Sequence, residues 1–135
     1  MSLPAADRLD ILDVVTRADE AASRRDADGY AALFTEDAVL DGSQGRHAGR
    51  AALRASVGPI WAAEGPATLH LTLNPVVEGD GAEAVVRSVL LIVDPVPPVT
   101  IRTAAAITQR LRREAGQWRI AQRTVSDPPP GTGVK

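Results

Sequence analysis

His70 is the residue of this chain with the clearest capacity for proton chemistry. It lies in the segment LHLTLN, where it alternates with Leu69, Leu71 and Leu73. An imidazole titrates near neutral pH and can take a proton from a substrate in a site that excludes water. Because successive side chains of a strand point to opposite faces, His70 faces away from the three leucines. The pattern predicts that His70 either lines a pocket or meets solvent.

A second candidate for acid/base chemistry is Asp41, at the end of the segment FTEDAVLD. A carboxylate near the mouth of a pocket can serve as a base once it is buried. An aspartate in this place more often caps a turn, and the loop GSQGRHAG follows directly. Both roles stay open for Asp41, whereas His47, inside that loop, is predicted to be solvated.

Composition narrows the classes of protein to consider. A chain of 135 residues with 44% hydrophobic residues is predicted to form a single domain over residues 1–126, followed by a flexible tail over residues 127–135. The net charge of -2 argues against nucleic-acid or membrane partners. The chain has no cysteine and only two histidines, so neither a disulfide framework nor a metal site is predicted. We expect a cytoplasmic protein that needs no cofactor, because no export signal or membrane span is indicated.

The positions of apolar residues predict the elements that hold these candidates. Helical spacing predicts helices over residues 5–25, 27–34 and 50–64, with Asp26 as the cap of the second and Pro59 bending or interrupting the third. The segment 42–49 is predicted to be a loop. Alternating or β-branched segments predict strands over residues 38–41, from 68 onward, 82–93, 99–113 and 118–125.

This order of elements is typical of an α+β cone. Three segments, which together span most of the chain, carry a specific resemblance: RRDADGYAALFTEDAVLDG, LHLTLNPVVEGDGAEAVV and REAGQWRIAQR. They resemble the SnoaL-like (polyketide cyclase type) branch of the nuclear transport factor 2-like superfamily. The resemblance implies three N-terminal helices packed in a strongly curved antiparallel or mixed sheet that encloses a ligand pocket.

Two catalytic patterns occur among the proteins that this chain resembles. The ketosteroid-isomerase pattern needs a carboxylate base and two acidic donors, but its base position matches Gly42 and its donor positions match Ala18 and Thr108. The dehydratase pattern fits better because its histidine falls on His70. The aspartate that orients that histidine falls on Ser23, so its role would pass to another acid.

Asp94 and Asp41 are the candidate substitutes for this partner, since helical spacing predicts that Asp19 and Asp26 face elsewhere. The resemblance therefore implies His70 and Asp41 as catalytic candidates. The four aromatic residues are more typical of core than of a ligand cage. Ligand contacts are predicted for a wider set of residues: Ser23, Tyr30, Phe34, Trp61, Thr72, Asp94 and Thr108.

These observations predict a protein that binds a small apolar or oxygenated organic molecule. It would act as a cofactor-free dehydratase, isomerase or cyclase, or as a non-catalytic binding module, or as the small subunit of an oxygenase. A strip of arginines favours a solvated hairpin face paired with nearby acids over a site for an acidic ligand: Arg110, Arg112, Arg113, Arg119 and Arg123. A homodimer is predicted through an outer apolar face: Leu69, Leu71 and Leu73 with Val99, Ile101, Ala105, Ile107 and Leu111.

Overall fold

A computed structural model describes residues 2–126, so the predicted tail over residues 127–135 lies outside the described residues. The described part contains three helices and six strands. In chain order they are α1 (Ala5–Ser23), α2 (Ala27–Ala31), β1 (Phe34–Gly42), β2 (Gly45–Ala48), α3 (Arg50–Glu64), β3 (Leu69–Gly79), β4 (Glu83–Asp94), β5 (Thr100–Glu114) and β6 (Gln117–Ser126).

The sharp turn between α1 and β1 depends on a side-chain cap. The Asp26 carboxylate accepts a hydrogen bond from the backbone N–H of Gly29 at 2.9 Å, which confirms Asp26 as the cap of α2. The short helix ends at Ala31, earlier than predicted, because the carbonyl of Leu33 already accepts a bond from the N–H of Ile120 at 2.8 Å. Phe34 therefore begins β1 instead of ending the helix.

The predicted loop 42–49 contains a strand, so that prediction is wrong. β2 forms an antiparallel hairpin with β1, with Val39 opposite Ala48. Gly45 has a φ of +103°, a conformation that glycine adopts without strain, and it allows the tight turn. The pairing depends on main-chain hydrogen bonds. The segment has no β-branched residues, so its side chains do not predict a strand.

The strands form one mixed sheet in the order β2-β1-β6-β5-β4-β3. β1 and β6 are parallel, and every other pair is antiparallel. β4 lies between β3 and β5 but only one strand from the edge, not at the centre. Register irregularities interrupt four of the five pairings, and such irregularities bend strands, so the sheet curls around the helices.

The core lies between the concave face of the sheet and the three helices. α1 contributes Ile11 and Val15, and α3 contributes Leu53, Val57 and Trp61, all of which are buried. α3 continues through Pro59 without a break. Its buried residues lie at the spacing of one helix face, which explains why the hydrophobic pattern located this element with the correct bounds.

The end of the β5–β6 hairpin is joined to β1 and α3 through Glu114. Its carboxylate accepts from the N–H of Glu36 at 3.0 Å and from Arg50 at 2.8 Å. The Glu36 N–H and the positive charges of Arg50 and Arg119 hold the pKa of Glu114 below its ordinary value of 4.5, although desolvation opposes this shift. A carboxylate with a lowered pKa stabilises the fold above the pKa of its unfolded state, and this contribution is lost as the pH falls.

We therefore expect Glu114→Gln to lower the melting temperature at neutral pH. The deficit relative to the wild type should shrink below a pH of about 4.5, where Glu114 of the native protein takes up its proton. Thermal unfolding followed by circular dichroism at several pH values measures this. Glu83→Gln is the control, because Glu83 is exposed and its carboxylate accepts no hydrogen bond within residues 2–126. A deficit that does not depend on pH would contradict the role of the charge.

Candidate functional site

The concave side of the sheet forms part of the wall of a partly open cavity of about 160 Å³. Its walls come from α3, from the turn between β1 and β2, and from the inner faces of β3 to β6. Most of the lining is apolar, with polar groups at a few places. The lining residues are Tyr30, Leu40, Gly42, Ser43, Gln44, Gly45, Val57, Ile60, Trp61, Glu64, His70, Leu90, Ile92, Thr103, Arg123 and Val125.

His70 is held in the cavity wall by its own backbone. It is buried on β3, opposite Ile92 of β4. Its N–H donates to the Ser23 hydroxyl at 2.9 Å, which ties the last residue of α1 to the start of β3. Leu69 and Leu71, on the other face of the strand, are each about 40% exposed, as alternation requires.

The partner of the His70 imidazole is Glu64, the last residue of α3. The Nε2 atom of His70 lies 2.7 Å from the Oε1 atom of Glu64. The same Oε1 atom accepts from the Thr68 hydroxyl at 3.2 Å and lies 4.0 Å from Nη1 of Arg25. Glu64 thus takes the place that the resemblance assigned to an aspartate on the first helix.

Arg25 fixes the loop that carries Glu64 towards His70. Its guanidinium donates to the Gly65 carbonyl and to the Thr68 hydroxyl, each at 2.7 Å, and to the Ala22 carbonyl at 3.0 Å. An arginine presents several donors in a rigid plane, so one side chain can hold the end of α1 and the α3–β3 loop together. The Glu64 carboxylate is therefore held in place from both sides of the cavity wall.

This geometry defines what the His70–Glu64 pair can do. In the neutral imidazole, the short contact assigns the proton to Nε2, which donates to Glu64, and leaves Nδ1 as the base. Nδ1 is buried and has no hydrogen-bond partner within residues 2–126. A proton taken up at Nδ1 would produce an imidazolium ion, which the adjacent carboxylate stabilises.

The opposite wall carries a buried cation, Arg123, on β6. It is 3% exposed, and its Nη1 atom donates to the Oε1 atom of Gln109 at a long 3.4 Å. The guanidinium carbon lies 6.0 Å from the centre of the Tyr30 ring. Burial raises the pKa of Tyr30, and the positive charge of Arg123 opposes that rise, so the tyrosine hydroxyl stays neutral.

The remaining predicted ligand contacts fall into two groups. Tyr30 and Trp61 line the cavity and meet edge to face, with ring centres 5.3 Å apart. Phe34 is fully buried in the core, behind Tyr30, and is not part of the lining. Ser23 contacts the backbone of His70. Thr72 donates to the Oδ2 atom of Asp19 at 2.6 Å and lies outside the lining.

Three predicted site residues are placed away from the cavity. Asp41 is partly exposed, and its carboxylate lies 3.9 Å from Arg46, across the hairpin. Asp94 accepts the N–H of Val96 at 3.0 Å and so caps the loop that follows β4. Thr108 is on the face of β5 opposite Gln109, in a groove that also contains Asp37. Neither Asp41 nor Asp94 partners His70, so the structure corrects that prediction.

Sequence reasoning missed Glu64 and misplaced Asp19. Glu64 is the only acid in residues 51–77 and precedes His70 through a short Gly-Pro turn, so its isolation was a usable signal. Asp19, predicted to face elsewhere, is buried against Thr72, and its Oδ1 atom has no partner among the described residues. In the arginine strip, Arg112, Arg113 and Arg119 pair with acids as predicted, but Arg123 turns inward.

No group of three or more histidine, aspartate or glutamate side chains in residues 2–126 could hold a metal ion. No helix in the same range is long and apolar enough to cross a membrane.

A curled mixed sheet that wraps three helices and encloses a pocket defines the nuclear transport factor 2-like class, which is also called cystatin-like in related structures. Within this class, the SnoaL-like domain family matches residues 4–124. The chain belongs to this family, so both the fold and the family expected from the sequence are confirmed. No curated protein matches the chain in sequence.

Solved structures agree with this assignment. A cystatin-like-fold protein of unknown function from Nostoc punctiforme is 26% identical, with a TM-score of 0.88 over 95% of this chain and 96% of that one. A scytalone dehydratase-like protein from Novosphingobium aromaticivorans is 21% identical, with a TM-score of 0.76 over 89% and 83%. LinA is 18% identical, with a TM-score of 0.78 over 89% and 84%. The last two show the fold alone.

The contact between His70 and Glu64 predicts a specific nuclear magnetic resonance signature. At neutral pH, we expect His70 to be the Nε2–H tautomer, and we expect its Nε2 proton to exchange slowly with solvent. Glu64→Leu should abolish the slow exchange, and Glu64→Gln, which keeps an acceptor oxygen, should retain it. Correlation spectra of the imidazole nitrogens measure both properties, with His47 as the internal reference in the same spectrum. A dominant Nδ1–H tautomer in the wild type would show that the pair is arranged differently.

Proposed function

We propose that this protein binds a small organic molecule in the cavity and moves one of its protons by acid/base chemistry, without a cofactor. The observation that carries the proposal is the 2.7 Å contact between His70 and Glu64 in the cavity wall. The reaction class is dehydration, isomerisation or cyclisation, since each begins with removal of a proton beside a carbonyl group.

The roles of the two residues follow from their atoms. Nδ1 of His70 takes the proton from carbon, and Glu64 stabilises the imidazolium ion through Nε2. The imidazolium then returns the proton, either to a departing hydroxyl group, which gives dehydration, or to another carbon, which gives isomerisation. Glu64 acts through His70 and not on the substrate itself, so it is a positioning residue.

The size and lining of the cavity limit the ligand. Its volume of about 160 Å³ is close to that of cavities that hold benzene, and it is below the usual range for drug-sized ligands. Leu90, Ile92 and Trp61 provide apolar contact surface. The proposed ligand is therefore a single ring or a short chain that bears oxygen, not a polycyclic molecule.

The rival function is a non-catalytic binding module. It is favoured by the burial of Nδ1, since a buried histidine can serve as a structural group. A role as the small subunit of an oxygenase stays a prediction, and so does a cytoplasmic location. Mass spectrometry of small molecules that copurify with the native protein provides the substrate candidates that separate an enzyme from a binder.

On a substrate identified in this way, we expect His70→Ala to lower kcat by about a hundredfold or more, because general-base catalysis contributes that much. Glu64→Gln should lower kcat less and shift the pH profile of kcat, with little change in KM. The control is His47→Ala, which removes the other histidine. His47 lies outside the cavity lining. If turnover is unchanged in His70→Ala, the cavity only binds.

We also propose that the outer face of the sheet joins two copies of the chain. The apolar residues on this face are adjacent across three strands: Leu69, Leu71 and Leu73 on β3, Val89, Leu91 and Val93 on β4, and Ile101, Ala104 and Ala106 on β5. Leu69, Leu71, Leu73 and Ile101 are 40–60% exposed. An apolar area of this extent is typical of a protein interface, and a self-complementary contact around a two-fold axis would cover it.

The composition of this face differs from the prediction. Ala105, Ile107 and Leu111 were expected on it, but they are buried in the core. The register shift between Ile92 and Val93 places Ile101 opposite Val93 and Thr103 opposite Ile92. The alternation between inward and outward side chains therefore shifts by one residue early in β5. Of the residues predicted for this part of the face, only Ile101 on β5 and Val99 just before it are exposed.

The dimer predicts that Leu71→Arg shifts the protein towards monomer in sedimentation experiments at micromolar concentration. The control is Leu9→Arg, since Leu9 is 69% exposed on α1, outside the proposed interface. A wild-type monomer, or a dimer unchanged by Leu71→Arg, would show that this face is not the interface.

A further inference from the structure

Arg123 is the only arginine of residues 2–126 that is buried. It lies on β6, opposite Leu40 of β1 and Gln109 of β5, and it lines the cavity beside Leu40. A guanidinium group remains charged at every accessible pH, so burial cannot be relieved by loss of a proton. An arginine in this position requires a compensating group.

The described residues do not supply a carboxylate for it. No acid of residues 2–126 lies within 4.0 Å of the guanidinium of Arg123, whereas Arg25 and Arg50, which are less buried, each have one. The long contact with the neutral Gln109 side chain and the ring of Tyr30 are its only polar or aromatic partners in that range. The positive charge of Arg123 is thus left for a ligand.

Neither acid near the cavity pairs with Arg123. Glu64, the only acid in the lining, contacts His70, Thr68 and Arg25 through one oxygen. Asp19 accepts from Thr72. Glu64 lies beside Arg25, and neither Glu64 nor Asp19 lies within 4.0 Å of the Arg123 guanidinium, so neither acid forms an ion pair with Arg123.

We propose that Arg123 is the residue that selects the ligand, and that the ligand is a small monocarboxylate. This inference deepens the proposed function and rests on it for the identity of the cavity as the ligand site. A planar guanidinium can bind the two oxygens of a carboxylate with two parallel hydrogen bonds. Gln109 positions the guanidinium through its contact with Nη1.

The sheet order also determines how such a ligand would lie. β6, which carries Arg123, and β3, which carries His70, are separated by β5 and β4. The inner face between them presents Leu90 and Ile92, which line the cavity floor. A carboxylate bound at Arg123 would place the apolar body of the molecule over these residues and its far carbon atoms towards His70. The reacting proton therefore lies beside a second carbonyl group at the far end of the molecule, not beside the carboxyl group.

Matched pairs of probes test the charge requirement without any turnover. Benzoate is compared with benzamide, and hexanoate with hexanamide, because the members of each pair have similar shape and differ in charge. We expect the wild type to bind the carboxylates more tightly by about tenfold or more, since hydrogen bonds between charged groups are worth that difference. Calorimetry gives the affinities, and the rise in melting temperature gives an independent measure of binding.

The preference should disappear in Arg123→Gln and persist in weakened form in Arg123→Lys. The control is Arg110→Gln, which removes an exposed arginine of the same hairpin. If Arg123→Gln does not fold, side-chain resonances of Arg123 in the wild type decide, because benzoate should shift them and benzamide should not. A wild type that binds acid and amide equally, or a preference that survives in Arg123→Gln, overturns the proposal.

Failure of the proposed acid/base function can be distinguished from failure of the Arg123 assignment. His70→Ala should keep the preference for carboxylates, because His70 is not the anchor. If carboxylates bind through Arg123 and none is converted, the proposed catalysis fails and the assignment of Arg123 stands. If a neutral substrate is converted through His70 with no dependence on Arg123, the catalysis stands and this assignment fails.

Discussion

One carboxylate connects the parts of this molecule that form the cavity wall. Glu64 ends α3, contacts the imidazole of β3 and lies beside Arg25, which follows α1. The contacts share a single oxygen atom, so a shift of the α3 end would disturb all of them together. Buried charges are stable only when each has partners in good geometry. The positions of α1, α3 and β3 are therefore constrained by the need to satisfy Glu64 and its neighbours.

The cavity also shows how the fold separates two kinds of surface on the same strands. On β3, His70 is enclosed while Leu69 and Leu71 are left partly in water. A soluble sheet more often has the reverse arrangement, with leucine inside and polar residues outside. The inversion supports both proposals, chemistry on the inner face and association through the outer face, from one alternating segment.

Sequence reasoning located the elements whose signal is local. The spacing of apolar residues gave α3 its bounds, and alternation in LHLTLN placed His70 on the face opposite the leucines but left open whether that face is buried. It failed where the answer depends on partners far along the chain. Glu64 reaches His70 through a loop held by Arg25, and Arg123 turns inward although it shares a hairpin with arginines that meet solvent. The prediction of which β5 side chains face outward was wrong, because alternation alone does not reveal a register irregularity.

The parallel pairing of β1 with β6 has a consequence for the order of assembly. Leu40 and Arg123 are opposite one another in this pairing, and they come from the first and last strands of the described chain. Contacts between distant segments form late, because closing a long loop costs entropy before any contact repays it. Both residues line the cavity, so this part of its wall forms only after the ribosome has released β6. Before that point, a nascent chain can fold its helices and earlier hairpins but lacks the side of the cavity that carries Arg123.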